Sequence, residues 1–287
     1  MAPTLNFDRL RSILVATVSH LPDRRTRPNW IYELGDAVLG AFAVFFVQSP
    51  SFLAHQRDMQ RSKGQNNAQS LFGLDQVPSD PQIRNLLDPI PPEQLAPPFW
   101  RVFEQLRDGD YLAGYQGHLG RWVCALDGTQ YFSSQQIHCA QCSMRVVNDR
   151  TYYSHTLVAP LLVAPGENRV IALEPEFVRP QDGNAKQDCE LRAAERWLKR
   201  NSSHFPPGSL TLLGDDLYCH QPFCALVLEL RQHFVFTCKP DSHPALYQEI
   251  GNTAKLAMGR PRPGALSSAG RVARVGPGPV WLSGCAV

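Results

Sequence analysis

The stretch Trp122-Val-Cys-Ala-Leu-Asp127-Gly-Thr-Gln-Tyr-Phe-Ser-Ser134 decides the fold of this chain. It has the composition of a β-strand, and a single carboxylate, Asp127, interrupts it near its middle. An unpaired carboxylate in a buried strand costs several kcal/mol of desolvation free energy. A structural ion pair or a bound metal is therefore expected beside Asp127.

A second apolar run, Leu210-Thr-Leu-Leu-Gly-Asp215-Asp216-Leu-Tyr218, repeats the order of hydrophobic strand, acid and turn. If the two strands are neighbours, Asp127 and Asp215 meet at one edge of a sheet. Carboxylates are the hard oxygen ligands that Mg²⁺ prefers, and pairs of such ions catalyse phosphoryl transfer. The two runs therefore predict a two-metal phosphoryl-transfer site.

Length and composition indicate a globular protein with two domains. The chain has 287 residues, of which 43% are hydrophobic and 19% charged, and its net charge of +2 neither demands nor excludes a nucleic-acid partner. The longest apolar run, 37–47, is too short to span a bilayer, and Asp8, Arg9 and Arg11 interrupt any signal peptide. We expect a cytoplasmic protein whose 8 cysteines are thiols or metal ligands.

Hydrophobic spacing changes its period near residue 119. Residues 1–118 are predicted to form a helical N-terminal domain. Residues 119–250 are predicted to form a mixed sheet with flanking helices, and the class is α/β. The predicted strands and helices of this part are strands at about 121–133, 144–148, 151–163, 169–174, 210–214 and 234–238, and helices at about 185–200, 221–232 and 242–250.

Residues 251–287 differ from the rest of the chain. They contain no Asp or Glu, show no period, and are rich in Gly, Pro, Ala and Arg. This composition predicts a disordered tail. It is also typical of translation in the wrong reading frame, and we favour a frameshift or truncation over a native basic tail.

A series of motifs in one order resembles the bacterial insertion-sequence transposases of the DDE type, whose catalytic domain is ribonuclease H-like. The resemblance covers about residues 5–250. The motifs are Leu126-Asp-Gly-Thr-Gln-Tyr-Phe-Ser-Ser134, Ile137-His-Cys-x-x-Cys142, Leu173-Glu-Pro-Glu-Phe-Val178, Gln181-Asp-Gly183, Lys186-Gln-Asp-Cys-Glu190, Gly214-Asp-Asp-Leu-Tyr218 and Cys238-Lys-Pro-Asp-Ser-His243.

The resemblance implies that two Asp residues on separate strands, and a Glu on a later helix, hold two Mg²⁺ or Mn²⁺ ions. Asp127 matches the first position. Asp215, three residues before Tyr218, matches the second, with Asp216 as the alternate. The family's signature of Tyr, Arg, Glu and Lys around the third acid is missing, and Glu249, the last acid of the chain, is a weak substitute. The catalytic domain is thus expected to be incomplete at its C-terminus and impaired.

What the resemblance implies about partners follows from transposition. The expected partner is double-stranded DNA. It includes the insertion-sequence ends, which the helical domain is expected to bind, and the target DNA. The intact enzyme is expected to be a homo-oligomer in the bacterial cytoplasm, at the nucleoid, with no membrane contact. Two alternatives stay open: a non-catalytic DNA-binding remnant, and a zinc-stabilised binding protein whose acids are structural.

Cys139-x-x-Cys142 has the spacing of half a structural zinc site, with His138 beside it. Cys189, Cys219, His220 or Cys224 are candidates for the remaining ligands. The alternative is that these thiols are buried packing residues.

Three further interpretations concern His155, Trp197 and the basic side chains of the helix that carries Trp197. His155, in an apolar strand, is expected to be a core histidine rather than a ligand. Trp197 is expected on the core side of its helix. The basic residues of that helix, Arg192, Arg196, Lys199 and Arg200, are expected to form a solvated face that contacts at most DNA phosphates.

Overall fold

The computed structural model of the protein describes residues 5–26, 31–61, 67–74, 78–117, 119–180, 190–257, 271–272 and 280–284. The chain divides into two compact units, Met1–Tyr111 and Leu112–Val287. The division lies a few residues before the boundary expected after residue 118.

The described part of the first unit is built from helices. They are α1 (Phe7–Val18), α2 (Leu34–Phe46), α3 (Phe52–Arg61), α4 (Asn67–Phe72), α5 (Asp80–Leu87) and α6 (Pro97–Asp108). The Asn6 side chain accepts a hydrogen bond from the Arg9 amide and so caps α1. The apolar helix α2 supplies Val38 and Ala43 to the buried core of this unit. No described helix in either unit is long and apolar enough to cross a membrane.

The second unit combines two sheets with helices. Its strands are β1 (Trp122–Ala125), β2 (Gly128–Ser134), β3 (Ser143–Val147), β4 (Arg150–Val158), β5 (Leu161–Val163), β6 (Ile171–Ala172), β7 (Glu176–Phe177), β8 (Leu210–Gly214), β9 (His233–Cys238), β10 (Arg271–Val272) and β11 (Val280–Gly284). Its helices are α7 (Glu190–Asn201), α8 (Gln221–Glu229) and α9 (Pro244–Ala257). The expected mixed α/β fold is confirmed.

The seven-stranded sheet has the order β10-β11-β9-β8-β1-β5-β6. At its centre, β1, β8 and β9 are parallel, and β5 is antiparallel to β1. Cys124, Leu212 and Phe236 are fully buried along these central strands. The smaller sheet has the order β2-β4-β3, with β7 paired to β4.

Two stretches predicted as single strands each divide between the two sheets. The run 121–133 breaks at Leu126 and Asp127 into β1 and β2, and the run 151–163 breaks after Val158 into β4 and β5. The two breaks lie side by side, because the Ala159 amide donates to the Asp127 carbonyl at 3.0 Å. Pro160 has no amide hydrogen for a continuous ladder, which fixes the second break at this point.

The structure differs from the disorder expected for 251–287. Helix α9 continues to Ala257, and β11 pairs with β9 from Val280↔Cys238 to Gly284↔Phe234. The run Val280-Trp-Leu has strand-forming side chains, and it satisfies backbone groups that β9 would otherwise leave unpaired at an edge. The remainder of that prediction falls on 258–270, 273–279 and 285–287, outside the described residues.

Candidate active site

Asp127 and Asp215 lie at the carboxyl ends of two neighbouring parallel strands. The last registered pair of β1 and β8 is Ala125↔Leu213, and each acid lies two residues beyond it. The Leu126 amide still donates to the Leu213 carbonyl at 2.9 Å, so the chains remain side by side up to the acids. The two acids therefore leave the sheet at the same edge.

Both acids are exposed, which corrects the expectation of a buried Asp127. The apolar run ends at Leu126, so Asp127 stands in solvent just after β1 and needs no compensating charge for burial. Its Oδ1 accepts a hydrogen bond from the Gly128 amide at 2.9 Å. Asp215 caps the following turn in the same way, because its Oδ1 accepts from the Leu217 amide at 2.9 Å.

Glu190 brings a third carboxylate to this edge. It is the first described residue of α7 and is partly buried. Burial raises its pKa, and the negative charges of Asp127 and Asp215 raise it further. A Cβ atom at Gly128 would lie 1.9 Å from the Glu190 Cδ, so glycine is what admits this carboxyl group beside Asp127.

Glu190 lies in the motif Lys186-Gln-Asp-Cys-Glu190, but its place in the chain does not predict a role as the third acid. The resemblance places the third acid after Asp215, whereas Glu190 precedes Asp215. Helix α7 leads into β8, and a helix that crosses into a parallel strand runs opposite to that strand. Its N-terminus therefore lies at the carboxyl ends of the strands, where ligand sites of parallel sheets form.

Asp216, the alternate second acid, is engaged elsewhere. Burial raises the pKa of its carboxyl group, but hydrogen bonds from the Ser242 hydroxyl and the Lys239 amide, with the His243 and Lys239 charges, lower it overall. The His243 Nε2 lies 3.3 Å from its Oδ1. Asp216 thus braces the turn after β8 against the start of α9. Glu249, the alternate third acid, is exposed on α9.

A groove of about 390 Å³ leads from Glu190 across the smaller sheet. Glu190 and Leu217 line one part of it. Residues of β2, β3 and β4, with Val178, form the rest, and Arg145 adds a positive charge. The polar and aromatic side chains along the groove include Ser143, Arg145, Tyr152, Thr156 and Glu190.

Arg196 and Arg200 are partly exposed, as expected, but both form ion pairs with buried carboxylates. The Arg196 Nε lies 3.0 Å from Oε1 of the buried Glu176, and an Arg200 amino group lies 2.6 Å from Oε1 of Glu174 and 2.7 Å from Oε2 of Glu176. Helix α7 packs on β7, so these guanidinium groups meet carboxylates that would be costly to bury without a partner.

The remaining predictions on α7 have different outcomes. Trp197 is buried, as expected, and its indole N–H donates to the Glu174 carbonyl at 2.8 Å. Lys199 is exposed. Arg192 is exposed and pairs with Glu195 at 3.0 Å. The contacts of α7 with β7 hold the helix that carries Glu190.

A cluster of two thiols and an imidazole corrects the prediction for His155. The His155 Nε2 lies 3.3 Å from the Sγ atoms of both Cys139 and Cys142, which are 3.8 Å apart. His138 instead stacks on the Tyr153 ring, with centroids 4.3 Å apart. The three side chains form a group that could hold a metal ion.

Cys219 belongs to a different group, with Cys238 and His243, which could also hold a metal ion. Burial is the largest of the effects that raise the pKa of the Cys238 thiol to about 12. The Cys224 thiol accepts a hydrogen bond from Cys219, which lowers the Cys224 pKa. Cys219 and Cys224 therefore do not complete the Cys139 and Cys142 pair. Cys189 falls outside the described residues, and His220 is exposed.

Comparisons with known proteins find a likeness among solved structures. No protein-family profile matches the sequence. No curated protein matches it either. Among solved structures, the chain is similar to a piggyBac transposase, determined by cryo-EM as a synaptic complex with hairpin DNA. The two are 14% identical with a TM-score of 0.39, and the match covers 96% of this chain and 57% of that chain. The chain therefore spans little more than half the length of that transposase.

Proposed function

We propose that this chain is a DNA-cleaving transposase of the DDE type with a ribonuclease H-like catalytic domain. Asp127, Asp215 and Glu190 hold its Mg²⁺ or Mn²⁺ ions. The observation that carries the proposal is the meeting of three carboxylates, from the ends of β1 and β8 and the start of α7, at one sheet edge. Glu190 takes the third position, for which the sequence alone offered only Glu249.

The residues at this edge fit a divalent cation. Three carboxylates supply hard oxygen ligands, and the exposure of Asp127 and Asp215 leaves room for the waters and phosphate oxygens that Mg²⁺ retains. The mutual repulsion that raises the pKa of Glu190 is the kind of free-energy cost that a divalent cation offsets.

The chemistry needs positioning and charge neutralisation more than covalent help. Bound Mg²⁺ lowers the pKa of a water or hydroxyl nucleophile and neutralises charge on the phosphodiester. The Gly128 and Leu217 amides donate hydrogen bonds to one carboxylate oxygen each of Asp127 and Asp215. These hydrogen bonds fix the orientation of both carboxylates before metal and substrate bind. The ion pairs of α7 hold Glu190 opposite them.

The groove beside Glu190 suits a DNA strand. Arg145 provides a cation for a phosphate, Ser143 and Thr156 provide hydroxyl donors, and Tyr152 provides a ring. A strand in this groove has its backbone next to Glu190. The motif resemblance supports the rest of the proposal: bacterial origin, insertion-sequence ends and target DNA as substrates, and a homo-oligomer.

Replacing Arg145 by Ala is expected to weaken DNA binding similarly for all sequences. Loss of one phosphate contact lowers the slope of log affinity against log salt by about 1. Fluorescence anisotropy with duplex and single-stranded oligonucleotides from about 50 to 200 mM salt measures this slope. Arg192→Ala is the control, because Arg192 is exposed on α7 and does not line the groove. An unchanged slope for Arg145→Ala would remove the groove from the proposal.

Nicking of supercoiled plasmid tests the proposed function. The purified chain is expected to convert supercoiled DNA to open circles with Mg²⁺ or Mn²⁺ and not with EDTA. Mg²⁺ at ten times its Kd is expected to stabilise the fold by about 1.4 kcal/mol. Binding of DNA without nicking under either metal would instead favour the non-catalytic DNA-binding protein. Zinc content without Mg²⁺ binding would favour the zinc-stabilised binding protein.

A further inference from the structure

We infer that Cys139, Cys142 and His155 form a structural Zn²⁺ site, separate from the carboxylates of the proposed active site. The three ligand atoms lie within 4.8 Å of one another, although they come from a loop and from a strand. Cys139 and Cys142 lie in the connection between β2 and β3, and His155 lies on β4.

Their spacing matches tetrahedral zinc. With Zn–S bonds near 2.3 Å and Zn–N bonds near 2.05 Å, two sulfur ligands lie about 3.8 Å apart and sulfur and nitrogen about 3.6 Å apart. The structure has 3.8 Å between the two Sγ atoms and 3.3 Å from each Sγ to the His155 Nε2. One ion at the centre can therefore reach all three atoms.

Other readings of the cluster fit less well. A disulfide has sulfur atoms about 2.05 Å apart, and these two are 3.8 Å apart and free. A hydrogen-bonded cluster does not account for two equal sulfur–nitrogen distances, because the single proton or lone pair of Nε2 bonds only one of the two thiols. A metal ion satisfies both sulfur atoms and the nitrogen together.

Backbone amides already point at the sulfur atoms. The Gln141 amide donates to the Cys139 Sγ at 3.4 Å, and the Cys139 amide donates to the Cys142 Sγ at 3.3 Å. Amide donors of this kind are the usual outer-shell partners of metal-bound sulfur ligands. The Tyr131 ring stacks on the His155 ring at a 14° interplanar angle and holds it in place.

The register of the smaller sheet explains how the ligands meet. Ser143 on β3 pairs with Ser154 on β4, so Cys142 and His155, one position further on each strand, come opposite each other. Side chains alternate between faces, and Tyr152, Ser154 and Thr156 line the groove on the other face of β4. Zinc would tie the β2–β3 connection to β4 and so keep the groove in shape.

The described residues supply three protein ligands to this site. The second thiol group, Cys219 and Cys238 with His243, provides a matched internal control. It has the same ligand types, but its thiols are buried and its imidazole lies 3.3 Å from Asp216.

Zinc content of the full chain, measured by mass spectrometry after purification with Zn²⁺, tests the inference. Cys139→Ser is expected to contain one zinc ion fewer per chain than wild type. Cys219→Ser is expected to keep the ion bound by Cys139. Equal zinc in Cys139→Ser and wild type would overturn the proposal. So would loss of all zinc in Cys219→Ser alone.

A second measurement on wild-type protein covers the case in which Cys139→Ser does not fold. Zn²⁺ is expected to protect Cys139 and Cys142 from alkylation, mapped by peptide mass. Co²⁺ in its place is expected to give thiolate charge-transfer absorption that His155→Gln weakens. Alkylation of both cysteines at the same rate with and without Zn²⁺, or a disulfide between them, would overturn the site without affecting the Mg²⁺-dependent nicking.

Discussion

Asp127→Asn and Asp215→Asn are each expected to lower Mg²⁺-dependent DNA cleavage by at least about 10³-fold. A loss of this size corresponds to about 4 kcal/mol of transition-state stabilisation. Asn keeps the side-chain oxygen that accepts from Gly128 or Leu217, so the local turn survives while the charge is lost. Plasmid nicking and the Mg²⁺-induced shift in Tm measure the two consequences.

Glu190→Gln extends the same prediction. Its activity is expected to fall with that of the Asp variants, whereas its stability without metal is expected to rise above wild type. Because the folded-state pKa of Glu190 is raised, its contribution to stability is complete below the unfolded pKa and is lost as pH rises through the folded pKa. Metal-free wild type should therefore lose stability over this interval relative to Glu190→Gln.

Glu249→Gln is the matched comparison, since Glu249 is an exposed carboxylate on α9. It is expected to leave cleavage unchanged. If Glu249→Gln abolished cleavage and Glu190→Gln did not, the third acid would be the one that chain order predicts. If Asp127→Asn, Asp215→Asn and Glu190→Gln all kept the Mg²⁺-induced Tm shift, the metal would not bind at this edge of the sheet.

The position of Asp127 and Asp215 at the same edge of the sheet could be predicted from the sequence, because it depends on a local pattern. Each acid ends an apolar run, and two such runs are natural neighbours in a parallel sheet. The exposure of Asp127 could not be predicted in this way. The composition of 122–134 is continuous, but the strand passes from one sheet to the other at Leu126 and Asp127, and the acid is exposed where the sheets part.

Two other side chains show what a linear pattern leaves out. His155 stands in an apolar stretch of sequence, which predicts a core histidine. Only the pairing of β3 with β4 brings His155 opposite Cys142. Arg196 and Arg200 have the spacing of a solvated helix face. They become ion-pair partners because β7, a strand of two residues, places Glu176 beneath α7. Such contacts depend on tertiary packing, which the secondary-structure propensity of a segment does not predict.

Glu176→Gln is expected to lower the free energy of unfolding of the second unit by about 3 kcal/mol. The Glu176 side chain is 1% exposed and contacts both Arg196 and Arg200. Removing one partner of a buried pair costs about 3–5 kcal/mol, and the low end applies because both guanidinium groups are partly exposed. Urea denaturation followed by tryptophan fluorescence, to which buried Trp197 contributes, measures the change.

Glu195→Gln is the control for this prediction. Its partner Arg192 is 61% exposed, so that pair is expected to contribute less than about 1 kcal/mol. Because the Glu176 ion pairs hold α7, Glu176→Gln should also weaken the Mg²⁺-induced stabilisation that depends on Glu190, whereas Glu195→Gln should not. Equal urea midpoints for both variants would mean that α7 is held by apolar packing of residues such as Ala194 and Leu198, and that Glu190 does not rely on the ion pairs for its position.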